Sequence, residues 1–129
     1  MPGAPSSAFS YAIVRVVPRV ERGERFNVGV VLYCPELGFL GARMHLDERR
    51  LAALAPDVLP DVVRPYLDAV VRIAEGDPAA GPIAALPPGE RFGWLVAPSS
   101  TMLQPSPVHT GLCDDPARTL EQLFADVVA

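Results

Sequence analysis

Lysine is absent from this sequence: all 11 basic residues are Arg. That excludes Schiff-base chemistry, a lysine general base and a P-loop. Asparagine occurs once, at Asn27, and isoleucine three times. Abundant Ala, Arg, Gly and Pro complete the signature of a GC-rich bacterial genome, which explains the Arg usage without a functional demand. Cysteine is limited to Cys34 and Cys113, far apart and never as CxxC, which predicts two free, buried thiols in a cytosolic chain. His109 and Cys113 stand four apart, but no paired ligand knuckle exists, so no metal and no cofactor are expected. No apolar run approaches the roughly 18 residues of a membrane span. Residues 1–7 carry neither a basic n-region nor an apolar h-region, so no secretory signal is expected there. The motifs GxGxxG and GxSxG are missing, which argues against a dinucleotide fold and a nucleophile elbow.

What is present is a cored globule. Of 129 residues, 50% are hydrophobic and 20% charged, which fits one folded domain, expected over residues 9–129 with 1–8 as a flexible lead-in. Fifteen Pro and ten Gly predict many turns. The net charge of −4 is uneven: residues 1–50 hold seven Arg against five acids, residues 51–129 four Arg against ten. A strongly basic nucleic-acid binder is therefore not expected; the Arg excess of the first third reads as an ordinary solvated surface, with a local anion site as the sharper alternative.

Periodicity predicts the elements. Residues 9–17 read as a strand with Phe9, Tyr11 and Ile13 on one face and Ala12, Val14 and Val16 on the other. Residues 26–34 alternate strongly, with Phe26, Val28, Val30, Leu32 and Cys34 sharing one face, and Gly29 implies a bulge or a close backbone approach. A third strand over 39–46 completes a meander. Asp47 caps a short helix, with Leu46 and Leu51 placed as a hydrophobic staple. A long helix is predicted over 61–75, its regular part starting at Arg64 or Pro65, with Leu67, Val70, Val71 and Ala74 as its stripe and Gly76 as its stop. Residues 76–90 read as a linker-like loop with one helical turn near 83–86. Alternation of Phe92, Trp94 and Val96 predicts a fourth strand over 91–97. Residues 101–110 read as a fifth strand, which Pro105 and Pro107 confine to an edge or to an extended segment. Asp115 and Pro116 open a last helix with Leu120, Leu123, Phe124 and Val127 on one face. The order β-β-β-α-α-β-β-α indicates an α+β fold: a mainly antiparallel sheet of four or five strands with the long and C-terminal helices packed on it. The predicted core is Ile13, Val28, Val30, Leu32, Leu40, Leu67, Val71, Trp94, Val96, Leu120, Leu123 and Phe124.

Two polar clusters are candidate binding sites. The first contains Arg15, Arg22, Glu24, Arg25 and Asn27. Arg15 shares a face with apolar residues, so it either pairs with an acid such as Glu24 or reaches a phosphate or carboxylate ligand. Asn27 is expected to hydrogen-bond across the base of the loop over 18–25 and hold it. The second cluster holds Ser100, Gln104, Ser106 and His109 in an extended edge suited to a partner strand. Cys34–His45 and Cys113–His109 dyads can be drawn, but no catalytic residue is assigned, and the chain reads as uncertain as an enzyme and more readily as a non-enzyme.

The runs YAIVRVVPRVERGERFNVGVVLYCPELGFLGAR over 11–43, GERFGWLVAPSSTMLQPSPVHTG over 89–111 and DDPARTLEQLFADVV over 114–128 resemble a bacterial domain-of-unknown-function family, number 3037. The most specific matches are GE-x-x-NVGV over 23–30 and QPSP over 104–107. The resemblance implies no activity or site assignment. It does imply a protein partner, a HipA-like serine/threonine kinase, through gene neighbourhood. Two readings follow: a small cytoplasmic accessory protein that partners or regulates such a kinase, or a phosphate-, nucleotide- or nucleic-acid-binding protein, with hydrolysis as an option, that uses the Arg cluster.

Overall fold

A computed structural model describes residues 5–99 and 101–128. Strands β1 (Ser7–Val16), β2 (Phe26–Cys34) and β3 (Phe39–Met44) form the antiparallel meander. Helices α1 (Glu48–Leu54) and α2 (Pro60–Glu75), two single 3₁₀ turns (Pro78–Ala80 and Pro82–Ala85) and α3 (Pro88–Val96) follow. Strands β4 (Leu103–Pro105) and β5 (His109–Cys113) then pair one after the other with the free side of β1, and α4 (Pro116–Val127) closes the chain. The architecture is the expected α+β class with a five-stranded antiparallel sheet. β1 starts two residues before its expected position, and Ser7 and Ala8 pair with Cys113 and Leu112.

The caps read from the sequence are present. Asp47 accepts from the Arg49 and Arg50 amides, Asp115 accepts from Arg118, and Gly76 ends α2 in the left-handed region at φ 72°. Leu46 and Leu51 are both buried in one cluster, as a staple requires.

Three expectations are corrected. Residues 91–97 are not a strand: the sheet's fourth element in sequence is β4, and Phe92, Leu95 and Val96 lie on the packed side of α3 at helical spacing. Pro87 and Pro88 start that helix and Glu90 favours its first turn. Trp94 consequently leaves the core and is 52% exposed. Second, α2 begins at Pro60 and runs through Pro65, because burial of Val63 and Leu67 on either side outweighs the one lost helical hydrogen bond. Third, the alternation of β2 breaks. Val14 opposes Gly29 but Arg15 opposes Asn27, so Val28 is an extra, bulged residue. Phe26 and Val28 therefore join Val31 in one cluster while Val30, Leu32 and Cys34 belong to the other.

The sheet thus separates two cores. On one face Val14, Val16, Phe26, Val28 and Val31 pack against Leu51, Val63, Leu67 and Phe92 of α1–α3. On the other, Phe9, Val30, Leu32, Cys34 and Cys113 meet Leu120 of α4. Gly29 faces β3 so closely that a Cβ there would lie 2.6 Å from the Arg43 carbonyl oxygen. Both alternatives that Gly29 suggested, a bulge and a close approach, hold at once.

Candidate functional site

Two surfaces remain after the cores are filled, one on each face of the sheet. The first lies on the α4 face. That helix packs over β2 and β3. Beyond it Tyr11, Ile13 and Arg15 of β1 stay half-buried and His109 is exposed. The pairing registers place Gln104, Arg15 and Asn27 in one row across β4, β1 and β2, and Tyr11 opposite His109 further along. Four residues singled out in the sequence, Arg15, Asn27, Gln104 and His109, are therefore brought to one sheet face.

Each has a defined environment. Arg15 Nη2 donates to the Pro105 carbonyl at 3.2 Å, while its Nε is buried with no hydrogen-bond partner among the described residues. Burial, and secondarily the positive charge of Arg25, hold its pKa below the ordinary guanidinium value. Glu24 does not pair with it: that carboxylate lies 2.6 Å from Arg22 on the exposed loop. The Asn27 Nδ2 does not brace the loop over 18–25 as expected. It donates to the Val127 carbonyl at the end of α4, at 3.0 Å, because the Val28 bulge turns it to the α4 side. Arg19 instead ties the loop to the main body through an ion pair with Asp57, and this pairing lowers the Asp57 pKa. Gln104 donates to the Thr101 carbonyl, and the Tyr11 and His109 rings lie 5.3 Å apart.

Ser106 is a structural link. Its Oγ accepts from the Ile13 amide at 2.9 Å and donates to the Pro107 carbonyl, and its own amide donates to the Ile13 carbonyl. Ser100 lies outside the described residues. Arg25 is exposed. The dyads do not form: Cys113 Sγ lies 4.0 Å from Cys34 Sγ, and neither thiol has a histidine hydrogen-bond partner among the described residues. Burial first, and then Cys34, push the Cys113 thiol pKa up, so it stays protonated and unreactive. Among the described residues no cluster of three or more His, Cys, Asp or Glu side chains could hold a metal, and no helix is long and apolar enough to cross a membrane.

The second surface is a groove of about 370 Å³ on the opposite face, between α2, α3 and β4. Tyr66, Ile73, Trp94, Leu95 and Leu103 form its walls and Val14 its floor. None of its lining residues is charged. Leu59, Val62 and Tyr66, exposed by 63, 49 and 52%, extend the apolar strip along α2. Sequence reasoning missed this surface, yet a signal existed. Leu59, Val62, Tyr66 and Ala69 repeat at helical spacing as a second, exposed stripe beside the buried one.

The chain thus has an α+β fold with two open surfaces, one on each face of its sheet. The family described as "Protein of unknown function (DUF3037)" matches residues 11–128, and the chain belongs to it. No curated protein and no solved structure matches it.

Proposed function

We propose that this chain is a cytoplasmic accessory protein whose α2–α3 groove docks an apolar segment of a protein partner. The observation that carries this reading is the exposure of Trp94 and Tyr66 at an uncharged groove that continues as Leu59 and Val62. From Leu59 to Ala69 the exposed strip runs about 15 Å along the helix, a length suited to a short peptide segment. Half-exposed Trp and Tyr at a concave apolar site are the residue types that dominate binding energy at protein interfaces. The concrete partner in this proposal is a HipA-like serine/threonine kinase, chosen on the gene neighbourhood that the family resemblance implies.

Trp94 is the only tryptophan, so its fluorescence reports docking directly. Co-expression with the neighbouring kinase followed by pull-down is expected to recover the pair, and binding to shift the Trp94 emission to the blue. Tyr66→Ala is expected to weaken binding about tenfold or more, with folding intact. Co-purification that survives both Tyr66→Ala and Trp94→Ala undiminished counts against the groove, and absence of co-purification counts against the kinase.

A further inference from the structure

The Arg15 row is unexplained by a docking groove on the opposite face. A guanidinium stays charged at neutral pH, and taking it out of water is costly unless an anion or several acceptors compensate. Arg15 has one carbonyl bond, from Nη2 to Pro105, and a buried Nε without a partner among the described residues. Arg91 makes an instructive contrast. Its Nε is also unpartnered, but its two terminal nitrogens donate to the Leu86 and Ala74 carbonyls, the latter in the last turn of α2, where the helix dipole favours a cation. Arg15 has no such setting: the terminal carbonyl of α4 nearest its row is taken by Asn27. The neighbouring charge is Arg25, which repels it. Glu24 is engaged with Arg22 and Glu121 with Arg43, and neither Arg15 nor Arg25 has an ion-pair partner among the described residues. Two such cations, beside the amides of Gln104 and Asn27, make an anion site.

The same face carries more. Tyr11 and Arg15 lie on one side of β1, about 13 Å apart along the strand. Tyr11 and His109 offer adjacent rings there, 5.3 Å between centroids. We propose that this sheet face binds a nucleoside phosphate, the phosphates held by Arg15 and Arg25 and the base lying on Tyr11 and His109. The length from the ring pair to the guanidinium suits a nucleoside di- or triphosphate, given the reach of an arginine side chain back along the strand.

Titration of the full chain with ADP, adenosine and inorganic phosphate, followed by calorimetry and by amide chemical shifts, tests this. ADP is expected to bind more tightly than either fragment, and its affinity to fall steeply as salt is raised. Arg15→Gln is expected to weaken ADP about tenfold or more. Tyr11→Ala is expected to weaken ADP several-fold while leaving inorganic phosphate unchanged. The ligand-free Arg15→Gln variant is expected to melt no lower than the wild type, because an uncompensated charge has been removed; a structural arginine would give the opposite. Arg25→Ala, at an exposed position, keeps the test decisive if Arg15→Gln does not fold, with weaker ADP binding and a shallower salt dependence expected. Absence of saturable ADP binding, or wild-type affinity in both arginine variants, overturns the site. Inorganic phosphate binding as tightly as ADP overturns the nucleoside assignment. Trp94→Ala is expected to leave ADP affinity unchanged, so failure here and failure of the groove are read separately.

Discussion

Asn27 shows how one residue's partners depend on a neighbour's geometry. Its need for a partner was legible, since a lone amide in an apolar strand must be satisfied. Its partner was not, because the bulge at Val28 reverses which side it faces. Asn27→Ala is expected to destabilise the fold by about 1 kcal/mol in urea titration, through the unpaired Val127 carbonyl. Gly29→Ala is a sharper probe. The added Cβ would crowd the Met44 side chain and lie 2.6 Å from the Arg43 carbonyl, so β2 and β3 must part locally. The expected loss is about 1–3 kcal/mol, measured the same way. A neutral Gly29→Ala result would mean that the strands are less closely apposed than described.

At the scale of elements, the long periodic segments were legible and the short apolar one was not. The last helix was readable because Leu120, Leu123, Phe124 and Val127 satisfy only a helical period. Phe92, Trp94 and Val96 satisfy period two, while Phe92, Leu95 and Val96 satisfy the helical one; over so few residues the pattern cannot arbitrate. The deciding signal was at the boundary, in Pro88 and Glu90. The edge strand was read correctly as an edge, but Pro105 and Pro107 split it into β4 and β5 around Ser106. Leu120→Ala or Phe124→Ala is expected to cost about 2–5 kcal/mol, since both side chains are buried. Trp94→Ala, by contrast, is expected to change stability by under about 1 kcal/mol, because half of that side chain already meets water. Pro65→Ala is expected to raise the melting temperature by restoring a helical hydrogen bond to α2.

For the whole molecule, the layer class followed from composition and the order of elements, whereas the two binding surfaces did not. Which apolar stripe of α2 is left open depends on where α3 packs, and which polar residues share a row depends on pairing between β1 and strands some 90 residues later. Buried Cys113 adds a global pH dependence. Its folded pKa is raised, so the native state holds the thiol proton more tightly than the unfolded chain does, and stability falls as pH rises past the ordinary thiol value. Equilibrium urea titrations across the alkaline range are expected to show this decline, and Cys113→Ala to flatten it. The pairing of β1 with β4 and β5 has one more consequence, during synthesis. Strand β1, carrying the run AIVRVV, is made before β4 and β5, and its β4–β5 side stays unpaired until those strands emerge. While the intervening helices are being made the nascent chain carries an adhesive edge, so slowing elongation between β1 and β4 should favour aggregation more than slowing it after β5.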